Sequence, residues 1–229
     1  MTGKRRTAAP TFLAAALFLS SPLAHAGPSS PAAGDQPPVY KPPVGGAPGG
    51  RVGGASRGTF KIAAALPSID LIAPDGEAGE TTHRSPTLYY YVSGPVAFPT
   101  RLTISEPWQA APVIDLVIPS PREAGIHRVR LARYGVRLAR GIVYTWSISA
   151  IVNSQEPSRD VVASASLLRV AADPGIEQAA QAAPPERRAA ILAQAGLWYD
   201  AVAAATGQGG ALRALMQEVG LHLPAALIE

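Results

Sequence analysis

Apolar and polar positions alternate with a period of two over "IVYTWSISAIV". Ile142, Tyr144, Trp146, Ile148, Ala150 and Val152 fall on one face, with Thr145, Ser147 and Ser149 opposite. That alternation predicts a half-buried strand with an aromatic core face. Five more β-rich runs surround it: "TLYYYV" (Thr87–Val92), "RLTIS" (Arg101–Ser105), "VIDLVI" (Val113–Ile118), "IHRVRLA" (Ile126–Ala132) and "VVASASLLRV" (Val161–Val170). "FKIAAAL" (Phe60–Leu66) is a seventh, less regular run. Pro, Gly and Asn-Ser separate the runs, and no helical period lies among them. Residues 59–172 therefore predict two antiparallel sheets packed face to face, an immunoglobulin- or fibronectin-like β-sandwich. In "LARGIVYTW", Leu138, Gly141 and Tyr144 stand as in the corner of such sandwiches, where a tyrosine hydroxyl bonds back to upstream backbone.

After "AADPG" the chain turns alanine-rich and helical, making residues 173–229 a helical C-terminal segment. Pro184-Pro185-Glu186 suits a helix start, and that run ends at Gly196. "LWYDAVAAAT" predicts a second helix. In "ALRALMQEVG", Leu212, Leu215, Met216 and Val219 recur at helical spacing and Gly220 is placed to cap. "AGLWYDAV" resembles the interhelix turn of a tetratricopeptide repeat at Gly196, Trp198, Ala201 and Val202. One such turn without a 34-residue period implies a helical hairpin, not a solenoid.

The N-terminal part carries targeting and spacing signals. Lys4, Arg5 and Arg6, an apolar run from Phe12 to Leu19, and Ala24-His25-Ala26 predict a signal peptide over residues 1–26, with a mature chain from Gly27. The apolar run is shorter than the roughly 20 residues a membrane span needs. In residues 27–58, 16 of 32 positions are Gly or Pro, so composition predicts a disordered linker. Within it, "GASRG" spells the G-x-S-x-G of a nucleophile elbow at Ser56. Such an elbow needs a strand before the serine and a helix after it; neither is here, and Ser56 is read as coincidental.

Charge and cysteine content narrow the function. The chain has 20 basic and 16 acidic residues; losing the leader's three basic residues leaves 17 − 16 = +1. The high pI therefore belongs mostly to the leader and gives no case for a nucleic-acid partner. The absence of cysteine excludes disulfides, thiolate nucleophiles, cysteine metal sites and a lipidated cysteine anchor. The expected product is exported to the periplasm or beyond and is not embedded in the membrane.

Two blocks together carry a family resemblance. "GAPGGRVGGASRG" before the first strand and "AGLWYDAV" in the tail resemble an uncharacterised bacterial secreted family, domain of unknown function 928. The resemblance runs from about Pro42 to Leu221 and includes a "Y-x-W" strand, here Tyr144 and Trp146. Many relatives carry a cysteine just after the Arg-Gly, where this chain has Thr59 and Phe60. The family implies fold and export but no activity.

Candidate chemistry is sparse. His83, His127 and His222 lie in different segments without ligand spacing, and no cofactor or metal motif appears. Asp70, Asp75, Glu77, Glu80, Glu106 and Asp115 are available carboxylates, but nothing selects a glycosidase pair. Tyr89, Tyr90 and Tyr91 are successive, so at least one is expected opposite the core. In "LWYD", Trp198 is expected between helices and Asp200 in solvent. One cluster stands out: Arg122, Arg128, Arg130, Arg133, Arg137 and Arg140 lie within nineteen residues that hold a single acid, Glu123. Arg128, Arg130, Arg133 and Arg137 are the candidate contacts for an anionic partner; the same charges would also guard an exposed strand edge. The expected function is a non-enzymatic envelope binding or adaptor module for a protein or anionic polymer. Alternatives are an assembly factor of a secretion or surface system, or an envelope glycan hydrolase.

Overall fold

The chain's structure is a computed structural model that describes Thr2, residues 37–53 and residues 66–221. The leader apart from Thr2, Ser56, most of the expected strand at 60–66 and His222 lie outside the described residues.

Among the described residues, β1 (Arg51–Val52), β2 (Ile69–Leu71), β3 (Gly79–Thr81), β4 (Thr87–Val92), β5 (Thr100–Ser105), β6 (Ile114–Ile118), β7 (Gly125–Arg130), β8 (Val143–Ala150) and β9 (Val161–Arg169) form two sheets. One has the order β1-β9-β8-β5-β6, with β3 pairing parallel to the far end of β9; the other is β2-β4-β7. Every other ladder is antiparallel. The six long runs of period-two residues are β4 to β9. The three short strands escape that reading, since two or three residues are too few to display a period. The predicted inward face of β8 is the buried one: Tyr144, Trp146, Ile148 and Ala150 face the core while Thr145 is exposed. Ahead of it, the Ala139 amide donates to the Tyr144 hydroxyl at 3.0 Å, Leu138 is buried, and Gly141 takes the left-handed φ of 75° that the corner requires.

Four helices follow: α1 (Pro174–Ala182), α2 (Pro185–Gln194), α3 (Trp198–Ala205) and α4 (Gly209–Glu218). Asp173 caps α1 by accepting from the Gly175 and Ile176 amides. Gly220, at φ 69°, ends the last turn, and the Leu221 amide returns to the Met216 carbonyl at 2.8 Å.

The helices pack on the sheets: a single buried cluster joins Trp146, Ile148 and Leu102 with Trp198, Val202 and Leu215. One expectation needs correction: residues 37–53, inside the stretch read as a disordered linker, lie along that core. Tyr40 is buried and meets Trp198 edge to face at 4.9 Å. The Lys41 amide donates to the Ala193 carbonyl, and Arg51–Val52 add to β9. Composition misleads here for a physical reason. Proline removes donors that would otherwise need partners, so an extended proline-rich strap can lie along the surface with few backbone bonds, burying only Pro38 and Tyr40. Glycine permits close approach: a Cβ on Gly49 would stand 2.6 Å from Ser166. Arg51 completes the strap by donating from its guanidinium to the Val219 carbonyl at 3.3 Å, a cation at the end of α4.

Candidate functional site

Two surface grooves carry the polar chemistry. The first lies along β7, which pairs only with β4 among the described residues and so is an edge strand. Val129 is buried between exposed Arg128 and half-buried Arg130, as strand alternation demands. The groove holds about 430 Å³ and is lined by Arg122, Arg128, Arg130 and Arg133 with Tyr90 and His127. Arg133 reaches it because β7 runs into a 3-10 turn at Leu131–Tyr134, closed by Gly135 at φ 69°. None of these four arginines is in an ion pair among the described residues. His127 is oriented by the Glu123 carbonyl at 3.0 Å and by the Tyr90 ring at 5.7 Å. Burial, with Tyr134 nearby, pushes the Tyr90 hydroxyl up to about 12, so it stays protonated. Arg137 is exposed but does not line this groove.

The second groove, about 470 Å³, lies between the β3–β4 connection and the first three helices. At its side sits a group of residues that sequence reasoning placed apart. Asp200 was expected in solvent, but it is 6% exposed. Its carboxylate accepts from the Thr81 hydroxyl, from the Thr82 amide at 2.9 Å, from the Thr82 hydroxyl at 3.0 Å, and meets His83 Nδ1 at 3.0 Å. Burial opposes the charge on Asp200, but the hydrogen bonds from His83, Thr81 and Thr82 prevail and hold its carboxyl below the usual range. The Asp200 carboxylate in turn raises the His83 imidazole against the opposing effect of burial. Asp200 and His83 are 117 residues apart, so no local pattern joins them.

The neighbours of Asp200 are fastened as firmly. Trp198 Nε1 donates to the Ile72 carbonyl at 3.0 Å. Trp146 Nε1 donates to the Tyr199 hydroxyl at 2.8 Å, which donates to the Ser166 carbonyl at 3.0 Å. Gly79 makes room, since a Cβ there would come 2.7 Å from the Tyr199 ring. Three successive side chains of one helical turn thus reach three separate parts of the sheets.

Residues 52–209 match the family model for Domain of Unknown Function (DUF928). The chain belongs to that family. The DUF928 match opens inside the glycine-rich block and takes in the whole Gly-Leu-Trp-Tyr-Asp run, whose work in this structure is to join helix to sheet. No curated protein and no solved structure matches the chain.

The other sequence candidates are dispersed. Tyr89, Tyr90 and Tyr91 are all buried, on both faces of β4, and Tyr90 is covered on the groove side by His127. Asp115 is taken up by Arg101 at 3.5 Å, and Asp70 by the Ser68 hydroxyl. Among the described residues no helix is long and apolar enough to cross a membrane.

The clasp at Asp200 makes a pH prediction. Asp200, lowered, stabilises fully above an ordinary carboxylate pKa and loses its contribution as pH falls through its folded value. His83, raised, stabilises fully below an ordinary histidine pKa and loses its contribution as pH climbs through its folded value. Melting temperature should therefore be highest between about pH 4 and pH 6.5 as far as this pair contributes. His83→Gln should flatten the alkaline fall; an unchanged alkaline limb in that variant would assign it to other groups.

Proposed function

We propose that this DUF928 chain is an exported, non-catalytic binding module whose β7 groove takes an anionic partner of the cell envelope. The observation that carries the reading is the convergence of Arg122, Arg128, Arg130 and Arg133 on one concavity without acidic partners among the described residues. Guarding a strand edge against aggregation needs exposed charge but no concavity. Four guanidiniums around a hollow instead offer forked donors to carboxylate, sulfate or phosphate. Export is supported by the basic, apolar and small-residue succession of the first 26 residues.

The fold we propose is a fibronectin-like sandwich. In its favour are the sheet orders β2-β4-β7 and β9-β8-β5-β6, and the bond from Ala139 to the Tyr144 hydroxyl. The chain also crosses between β2 and β3 from one sheet to the other, as β3 joins β9. The α2–α3 pair reads as one tetratricopeptide-like hairpin, with Gly196 at φ 79° and Trp198, Ala201 and Val202 buried.

The test compares two variants of equal charge on immobilised polyglutamate and dextran sulfate. One replaces Arg122, Arg128, Arg130 and Arg133 with Gln; the other replaces Arg84, Arg140, Arg159 and Arg187. The wild type and the second variant should be retained and should elute as salt shortens the Debye length from about 10 Å at 0.1 M towards 3 Å at 1 M. The first variant should pass through with its melting temperature nearly unmoved, since exposed charges contribute little to stability. Equal retention of both variants would reduce the groove to general charge, and aggregation of the first alone would return β7 to a guarded edge.

A further inference from the structure

The second groove has a polarity of its own. Helix α1 forms one wall. Glu177 stands in its first turn, and at its other end the Arg188 guanidinium is held by the Ala180 carbonyl at 2.9 Å and the Ala183 carbonyl at 3.3 Å. Both residues line the groove, with Leu192, Leu197 and Ala204 as apolar lining between sheet and helices. The acid thus stands at the first turn of α1 and the guanidinium at its last carbonyls, at opposite ends of one nine-residue helix. His83 also lines the groove beside Glu177, whose charge acts on it. Its Nδ1 is occupied by Asp200, so the Nε2 edge is the one available to a ligand.

We propose that this groove binds a short peptide with free ends, its ammonium at Glu177 and its carboxylate at Arg188. A nine-residue helix is about 13 Å long, so a ligand meeting charges at both ends needs only a few extended residues at about 3.3–3.6 Å each. Arg188 uses two of its five N–H groups on the α1 carbonyls, and the remainder can fork onto a carboxylate. The carbonyls that hold the guanidinium also fix it in place before a ligand arrives, which reduces the ordering cost of binding. The apolar lining favours small aliphatic side chains over charged ones. A groove of about 470 Å³ lies in the range of small-ligand sites. The proposal is independent of the arginine groove, which lies on β7.

The experiment titrates the full exported chain with trialanine, following amide and side-chain NMR shifts. Saturable binding in the millimolar range or tighter is expected, with shifts centred on His83, Glu177 and Arg188. Acetylating the amino end or amidating the carboxyl end should each weaken binding about tenfold or more, because each removes one charge-assisted contact. Those two peptides need no mutation, so the test stands even if a variant misfolds. Glu177→Gln, an exposed change, should abolish the discrimination against the acetylated peptide while leaving that against the amidated one. Equal affinity for free and end-blocked peptides overturns the proposal, as does the absence of any shift at about 10 mM trialanine, roughly tenfold above the weakest affinity expected.

Discussion

Trp146→Ala is expected to lower the unfolding free energy by about 3–5 kcal/mol, the usual range for removing a large buried aromatic. Trp146 has no exposed surface and lies at the centre of β8, flanked by β5 and β9. Its loss leaves a cavity where the sheet meets α3, and it removes the indole donor from the Tyr199 hydroxyl. Trp146→Phe separates the two effects. Most of the volume stays while the hydrogen bond goes, and the cost should fall to about 1–2 kcal/mol. Chemical denaturation followed by far-ultraviolet circular dichroism measures both. Wild-type stability in Trp146→Ala would mean that the faces of β8 are reversed.

Asp200→Ala is expected to cost about 3 kcal/mol, although nothing near Asp200 in the sequence announces it. The substitution leaves the Thr81 hydroxyl, the Thr82 amide and His83 without their shared acceptor, and the first of these is fully buried. A solvated aspartate at the same position would change stability by no more than about 0.5 kcal/mol. The two outcomes are far enough apart for a single melt to decide. His83→Ala should cost much less than Asp200→Ala, because the His83 side chain is 69% exposed and most of its hydration survives in the folded state. Equal losses in the two variants would make the histidine, not the threonines, the main partner of the carboxylate.

The contrast between these residues bears on what a sequence displays. The strand around Trp146 was legible because its face is set by alternation between neighbours, a property of the backbone repeat alone. The same holds for the tyrosine corner, whose Leu138, Gly141 and Tyr144 lie within one turn of chain. The arginine cluster was visible as composition. Its convergence on a groove was not, since Arg122 reaches β7 only through the connection after β6, and Arg137 belongs to the same run yet lies elsewhere. Asp200 read as a solvated charge because a lone carboxylate beside aromatic residues carries no record of the three donor residues 117 to 119 positions away.

The strap at 37–53 is the sharpest case. Half glycine and proline across residues 27–58 ordinarily means too little apolar surface to offset ordering entropy. What orders residues 37–53 lies on other elements: Trp198 receives Tyr40, Ser166 accommodates Gly49, and the end of α4 receives Arg51. The sequence by itself determined the six long strands, the helical tail, the corner before β8 and membership of DUF928, because each rests on residues close enough to form a repeating pattern or a motif. Only the tertiary structure decided that strap, helices and sheets share one core, that a buried aspartate clasps a loop over a hundred residues away, and that two grooves of different polarity result. Those outcomes depend on which distant surfaces meet, and a linear pattern holds no information about that until the chain has folded.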